Sequence, residues 1–159
     1  MIRSSLRNQV SALIYEDTPR YDLSLKLILG GVLAIVFFSG LLLISEDTTG
    51  ALVMFAATLF DALLFKSILP QRFQIFEDRL RIVLGGPFAF NISLSNIKEA
   101  RLTSGRKTFV YSGIRFATSS KGVVEIVRKK GMGLVISPVK TDMFLEQMNQ
   151  VLAKASNSG

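Results

Sequence analysis

The chain has 159 residues, of which 49% are hydrophobic, and it carries a formal net charge of +7. This length is about that of one domain. Cysteine is absent, which excludes disulfides and thiolate chemistry, and the absence of histidine removes the commonest general base and metal ligand. High apolarity combined with positive charge is typical of a small membrane protein with a basic part in water.

Two long apolar stretches dominate the first half of the chain. The first, residues 27–44, contains no charge and would be roughly 27 Å long as a helix, close to the thickness of a bilayer's hydrocarbon core. The second covers residues 51–69, and the short polar connector SEDTTG joins the two. Because a helical hairpin satisfies its backbone groups internally, it can span a membrane. We therefore predict a transmembrane hairpin over residues 27–69, the alternative being a pair of buried core helices.

Basic residues flank the hairpin on both sides, whereas the connector carries only acidic ones. The basic residues are Arg3, Arg7, Arg20 and Lys26 before the first span and Arg72, Arg79 and Arg81 after the second, and the acidic ones are Glu46 and Asp47. The positive-inside rule then predicts a multi-pass protein of the cytoplasmic (inner) membrane with both termini in the cytoplasm. Residues 1–26 are predicted to form a cytoplasmic lead-in. Its apolar side chains, those of Val10, Leu13, Ile14 and Tyr15, are expected to lie at the membrane interface.

One carboxylate lies near the middle of the second span, where a charge is costly: Asp61. Small residues share its helix face or lie near its level on the first span, so that the two helices can approach closely. These small residues are Ala57 and Thr58 on the second span and Ala34, Gly30 and Gly31 on the first. We predict an intramembrane contact made by Asp61 and these five small residues. Asp61 would be a proton or ion relay, a polar contact with another membrane subunit, or a hydrogen-bonded carboxyl that pins the helix pair.

From Gln71 onward the pattern changes to an alternation of apolar and polar residues, which indicates half-buried strands. Seven strands are predicted, at residues 73–75, 80–84, 88–94, 97–102, 109–118, 123–127 and 133–136. From Asp142 the apolar residues instead fall on one face of an amphipathic helix. The predicted fold class is α+β: the N-terminal transmembrane hairpin, then a seven-stranded antiparallel sheet or barrel capped by a C-terminal helix, over residues 71–155.

Two stretches carry a resemblance to a known family. RFQIFEDRLRIVLGGPFAFNISLSNIKEARL (residues 72–102) resembles the opening of the bacterial PH-like (pleckstrin-homology-like) domains, and VISPVKTDMFLEQM (residues 135–148) is similar to their ending. Two spans before such a domain is an arrangement also seen in that family. The resemblance implies a binding or scaffolding module without enzymatic activity. Eukaryotic PH domains that hold phosphoinositides use a basic cluster between the first two strands, where this chain has the acidic Glu77-Asp78, so that specificity is not carried over.

The turns between the predicted strands contain the densest basic clusters of the chain. In an up-and-down sheet, the entry to the first strand and the turns after the second, fourth and sixth strands share one end. Since only Pro70 separates the second span from the first strand, we expect that end to lie nearest the bilayer. The basic residues assigned to it are Arg106, Lys107, Arg128, Lys129 and Lys130, whereas Lys121 is assigned to the far end. These five are predicted to bind an anionic lipid surface, at about 1 kcal/mol each, the alternative being solvated hairpin tips.

Other chemistries find little support in the residues. There is no recognised nucleic-acid motif, and the serines have no base to activate them. We therefore predict a non-enzymatic, membrane-anchored adaptor or scaffold at the cytoplasmic face, with no cofactor and no metal. Its partners would be anionic lipids of the inner leaflet, an unidentified membrane or cytoplasmic protein, or a second copy of the chain. The alternative is a small subunit of a membrane transport or signalling complex, in which the hairpin and Asp61 contact another subunit.

Overall fold

A hairpin of two long helices is inserted between the first two strands of a β-domain in the computed structural model, which describes residues 11–104 and 113–157. The order is β1 (Leu13–Asp17), α1 (Leu23–Leu43), α2 (Thr48–Ile68) and β2 (Pro70–Phe76). Strands β1 and β2 pair antiparallel, with Tyr15 opposite Ile75 and Asp17 opposite Phe73. Both ends of the helical hairpin are therefore attached to neighbouring strands of one sheet.

The two helices are long and apolar enough to cross a membrane. Each has 21 residues, with a mean hydropathy of 2.3 for α1 and 1.8 for α2, and 21 residues of helix span about 31 Å. In α1 and α2 the only buried residues are Gly40 and Ala51, which is unlike a pair of buried core helices. The Asp47 carboxylate caps α2 by accepting a hydrogen bond from the Gly50 backbone N–H at 3.0 Å.

The β-domain consists of two four-stranded sheets and one helix. After β2 come β3 (Arg79–Leu84), β4 (Ala89–Ser93), a 3-10 turn (Leu94–Asn96), β5 (Ile97–Thr103), β6 (Ile114–Phe116), β7 (Val123–Arg128), β8 (Leu134–Ile136) and α3 (Thr141–Asn157). The strand order is β1-β2-β3-β4 in the first sheet and β5-β7-β8-β6 in the second.

The core lies between the two sheets and α3, and it explains the alternation in the sequence. Phe73 and Ile75 on β2, like Leu80 and Ile82 on β3, are fully buried, while the residues between them, Gln74 and Arg81, are half-buried. From α3, the apolar stripe contributes its buried members to the same cluster: Phe144, Met148 and Val151. The C-terminal helix thus covers the apolar faces of the sheets, as predicted.

Two features differ from the predicted seven-stranded antiparallel sheet. First, the predicted lead-in contains a strand, β1, and its Tyr15 ring lies 6.3 Å from the Phe144 ring in the core rather than at a membrane interface. Pairing with β1 satisfies backbone groups on the open edge of β2. Second, the short strand β6 pairs parallel with β8, with Ile114 opposite Leu134. The chain is therefore α+β. The part that the structure describes has eight strands in two sheets, and consecutive strands do not always run in opposite directions.

Candidate membrane-facing site at the helix–domain junction

The β-domain has two distinct ends, which we call the junction end and the distal end. The junction end is where Arg20–Asp22 lead into α1 and where Leu69 connects α2 to β2. The distal end carries the Glu77-Asp78 turn, at the opposite end of β2. The Asp78 carbonyl accepts a hydrogen bond from the Leu94 backbone N–H at 2.9 Å, which brings the 3-10 turn to the distal end as well.

Asp22 connects α1 to the second sheet. It occupies the position before the first residue of α1, but its side chain makes no capping hydrogen bond to the helix. Instead, the carboxylate accepts hydrogen bonds from the Ser119 hydroxyl at 2.6 Å, the Ser120 backbone N–H at 2.7 Å and the Ser120 hydroxyl at 3.0 Å. These bonds, with the Ser119 hydroxyl contributing most, hold the pKa of Asp22 below its ordinary value. Asp22 is therefore a charged contact between the helix entrance and the domain.

Neighbouring backbone groups extend this connection. The Arg20 backbone N–H donates to the Ser137 carbonyl at 2.7 Å, and the Arg20 carbonyl accepts from the Thr118 hydroxyl at 2.6 Å. On the other side, the Tyr21 hydroxyl donates to the carbonyl of Pro70, the first residue of β2. The entry to α1 is thus bonded both to the second sheet and to the residue at which the chain returns from α2.

The exit from α2 is equally close to the domain. The Gly85 backbone N–H donates to the Leu69 carbonyl at 3.0 Å. A Cβ atom at Gly85 would lie only 1.7 Å from the Lys66 carbonyl oxygen, so that the β3–β4 turn approaches the last turn of α2 at a distance that only glycine permits. Phe88 on the same turn is 64% exposed.

A cleft of about 650 Å³ opens at the junction end. Three cationic side chains, those of Arg20, Lys121 and Lys140, line it, together with the carboxylate of Asp142. The Arg20 guanidinium donates to the Val139 carbonyl at 2.8 Å, which fixes it at the cleft wall. Exposed apolar side chains lie beside these charges: Leu102, Val139 and Met143. Positive charge and apolar surface therefore share the end of the domain that is nearest the helices.

The structure places the predicted basic tip of Arg128–Lys130 at the distal end. The Lys129 backbone N–H donates to the Asn96 carbonyl at 2.7 Å, and the Asn96 amide group bonds the backbone of Lys130. An up-and-down sheet would have placed this tip at the end where β2 begins. That predicted placement is wrong because β5 and β6 run in the same direction, so every later turn lies at the opposite end from the one predicted. Lys121 lies at the junction end for the same reason. Arg106 and Lys107 lie outside the described residues.

Within the hairpin, the predicted contact through Gly30 and Gly31 is not formed. A Cβ atom added at Gly30 or Gly31 would meet nothing within 4 Å, so these glycines make no contact with α2. The close contact instead lies near the connector, where a Cβ atom at Gly40 would be 2.9 Å from the Phe55 ring. The two helices therefore contact each other closely near the connector and not at Gly30 and Gly31.

Asp61 and its small neighbours are half-buried on the hairpin. The Thr58 hydroxyl bonds the Met54 carbonyl of its own helix at 2.9 Å, and Ala57 and Ala34 are also half-buried. Among residues 11–104 and 113–157, the Asp61 carboxylate has no hydrogen-bond or ion-pair partner. The pinning of the helix pair by Asp61 is thus not seen within the described chain.

Some residues of this site were missed at the sequence level. Asp22 lay in the predicted lead-in, residues 1–26, with no role assigned to it, and Ser119 and Ser120 lay between two predicted strands. The only signal was an acidic side chain at a helix entrance and a run of hydroxyl donors elsewhere in the chain. Over the described residues, no group of three or more Asp or Glu side chains is arranged to hold a metal ion.

Comparison with known proteins identifies the β-domain. The family model of the bacterial PH domain matches residues 71–151, which is half of the chain; the match covers β2 to α3 and leaves out β1, α1 and α2. No curated protein and no solved structure matches the chain. The matched segment, with its seven strands and closing helix, has the element order that the sequence resemblance implied, and the chain belongs to the bacterial PH domain family.

Proposed function

We propose that the protein is a non-enzymatic, membrane-anchored adaptor that holds its PH domain in a fixed orientation at the cytoplasmic face of the inner membrane. There the domain would bind protein partners and anionic lipid headgroups. The observation that supports this most is the insertion of the hairpin between β1 and β2, which pair with each other. A domain attached through one flexible linker would turn freely, whereas two bonded connections restrict its rotation.

The charges near the hairpin support the orientation of the proposal. Lys26 in the first turns of α1 and Lys66 in the last turn of α2 are exposed at the junction end, whereas the connector carries Glu46 and Asp47. By the positive-inside rule, the junction end and both termini would then be cytoplasmic. Membership of the bacterial PH domain family supports a binding role rather than catalysis.

Thiol labelling of intact cells tests this layout. Because the chain has no cysteine, Thr48→Cys in the connector and Lys129→Cys at the distal end each provide one thiol at an exposed position. We expect an impermeant reagent to label the first variant in intact cells and the second only after permeabilisation. Labelling of the second and not the first in intact cells would refute the proposed orientation.

Exchange of the hairpin tests the adaptor role. We would replace residues 23–68 by an unrelated transmembrane hairpin that keeps the Asp22 contact, and crosslink both proteins to their neighbours in native membranes. An adaptor should retain the same crosslinked proteins, because its partners bind the PH domain. Loss of all of them on exchange would contradict the adaptor role and favour a function of the hairpin itself.

A second candidate function has one observation in its favour. The Asp61 carboxylate lies in the apolar hairpin without a partner among the described residues, and such a group is costly in a bilayer unless something pairs with it. The hairpin would then be a small subunit of a transport or signalling complex, with Asp61 against another subunit or a second copy of the chain. If Asp61→Asn and Asp61→Leu both leave self-association and partner pull-down unchanged, this candidate fails.

A further inference from the structure

The junction cleft has the charge of an anion site. Among the described residues, Arg20, Lys121 and Lys140 line it together with the carboxylate of Asp142. The Asp22 carboxylate, which accepts a hydrogen bond from Ser120 of the cleft wall, also attracts Lys121, and the three cations still outnumber the two carboxylates. The cleft also receives the N-terminus of α3, a helix of 17 residues, whose first backbone N–H groups have no partner within the helix. The Lys140 backbone N–H is held by the Asp17 carboxylate at 2.8 Å, so the base of that side chain is fixed while its ammonium group is exposed.

The helices define the height of this cleft in the membrane. A helix of 21 residues is about 31 Å long, which matches the hydrocarbon core of about 30 Å. If α1 crosses that core, its first residue lies at the boundary with the headgroups. Arg20 is three residues before that boundary. Ser119 and Ser120 of the adjoining loop donate hydrogen bonds to the Asp22 carboxylate, so this loop lies at the same height. The cleft would therefore lie in the headgroup layer, where lipid phosphates are found.

The rim of the cleft carries exposed apolar side chains, as expected of a surface at the boundary between lipid headgroups and acyl chains. Leu102 is 60% exposed, Met143 49% and Val139 42%. On the other side of the junction, Phe88 is also exposed, and its turn lies against α2, where a Cβ atom at Gly86 would be 3.3 Å from Ser67. Apolar side chains beside cations are typical of surfaces that enter the boundary between headgroups and acyl chains.

We propose that the junction cleft binds the phosphate of an anionic phospholipid headgroup in the leaflet next to the domain, a proposal that rests on the membrane anchoring proposed above. Lys121 and Lys140 pair with the phosphate, Arg20 forms the fixed wall, and the apolar rim contacts the upper acyl chains. An acidic peptide suits the charge equally, but an apolar rim at headgroup height favours the lipid. The distal end is also basic, yet it is separated from the helices by the length of the domain.

Lipid selectivity of the full-length protein tests this site. The protein is reconstituted into phosphatidylcholine vesicles, and the association of spin-labelled phosphatidylglycerol is compared with that of spin-labelled phosphatidylcholine. The test variant is Lys121→Gln/Lys140→Gln. The matched control is Lys129→Gln/Lys130→Gln, which removes the same charge from the distal end. Since each basic residue near an anionic surface contributes about fivefold to binding, we expect the test variant, which loses two of them, to lose about 25-fold in preference for phosphatidylglycerol and the control to retain the parent's value.

Each other outcome contradicts the assignment. Equal preference in all three proteins refutes a role for the cleft, and equal loss in both variants indicates a general effect of net charge. Abolition of the preference by excess soluble glycerol phosphate, or by an acidic peptide, would identify a soluble ligand instead of a lipid. If the parent inserts as the thiol labelling requires and shows no preference, the cleft proposal fails alone; if it does not insert, both proposals fail.

Discussion

The junction end and the distal end of the PH domain carry similar charge but differ in construction. At the junction end, Arg20, Lys121 and Lys140 line a cleft next to the helices. At the distal end, Arg128 ends β7 and the exposed Lys129 and Lys130 follow it in the turn. The distal turn is stabilised by Asn96, whereas the junction is stabilised by Asp22 across to the helix entrance. A count of charges therefore does not identify a site; position relative to the helices does.

The largest difference between the two ends is expected from glycine substitutions. Gly85→Ala at the junction end places a methyl group where the Lys66 carbonyl already lies, and the backbone of α2 cannot yield without separating helix and domain. We expect a loss of about 3 kcal/mol in unfolding free energy, at the upper end for overpacking. Unfolding of the full-length protein in detergent, followed by circular dichroism, measures it.

Two controls accompany this substitution. Gly86→Ala would meet Ser67 at 3.3 Å, a contact that a small shift relieves. Gly131→Ala at the distal end has a positive φ of 85° and carries local backbone strain alone, for which we expect about 1 kcal/mol. A Gly85→Ala variant as stable as Gly86→Ala would show that the β3–β4 turn does not press against α2.

The next largest effect is expected at Asp22. Asp22→Ala removes three hydrogen bonds from Ser119 and Ser120, and bonds to a charged group lead us to expect a loss of about 2 kcal/mol at neutral pH. The amide of Ser120 should also exchange with solvent more than tenfold faster, as hydrogen exchange detects. Asp47→Ala, which removes the corresponding residue before α2, should leave that amide unchanged.

The pH dependence of the Asp22 contact has a defined sign. Because the pKa of Asp22 is lowered in the folded protein, its contribution is complete above the ordinary value of 3.8 and is lost as the pH falls through the lowered value. The difference in unfolding free energy between the parent and Asp22→Ala should therefore be constant above pH 3.8 and should disappear below the lowered pKa of the folded protein. A difference that grows on acidification would contradict the proposed charge state.

A smaller effect is expected from the residue that stabilises the distal turn. Asn96→Ala removes the two hydrogen bonds between its amide group and the Lys130 backbone, for which we expect about 1 kcal/mol. Exchange of the Lys130 amide should accelerate, while that of Ser120 stays at the parent's rate. Acceleration at both ends would mean that the two ends unfold as one unit and that Asn96 and Asp22 do not stabilise them independently.

The smallest effect is expected from the distal charges themselves. Lys129→Gln/Lys130→Gln changes two exposed side chains that form no ion pair among the described residues, so that the unfolding free energy should change by less than about 0.5 kcal/mol. Thermal unfolding in detergent measures this. A larger change would reveal a structural role for this turn and would disqualify the variant as a control for lipid selection.

Most of the fold was predictable from the sequence because alternation reports which side chains face a core. Phe73, Ile75, Leu80 and Ile82 follow that period and are buried. Alternation does not report strand direction, and the three residues of β6 are too few to indicate that they pair parallel with β8. Because of that one parallel pairing, the turns after β6 and β7 lie at the opposite ends from those predicted. Lys121 is therefore at the junction end and Lys129 at the distal end.

Other features depend on contacts between distant parts of the chain. Strand β1 was missed because the whole hairpin separates it from its partner β2, so no local turn links them. The contact of Asp22 with Ser119 and Ser120 joins residues almost a hundred positions apart. The predicted approach of Gly30 and Gly31 failed because the matching of levels along two spans does not fix the rotation of each helix about its axis.

Fluorescence quenching tests most directly whether the junction end of the PH domain faces the bilayer. Single cysteines replace the exposed residues Met143 and Lys129, each is labelled with a small fluorophore, and the full-length protein is reconstituted with lipids that carry a spin label on the headgroup. Strong quenching at position 143 and weak quenching at position 129 is the predicted result. Equal quenching at the two positions, or stronger quenching at 129, would contradict it.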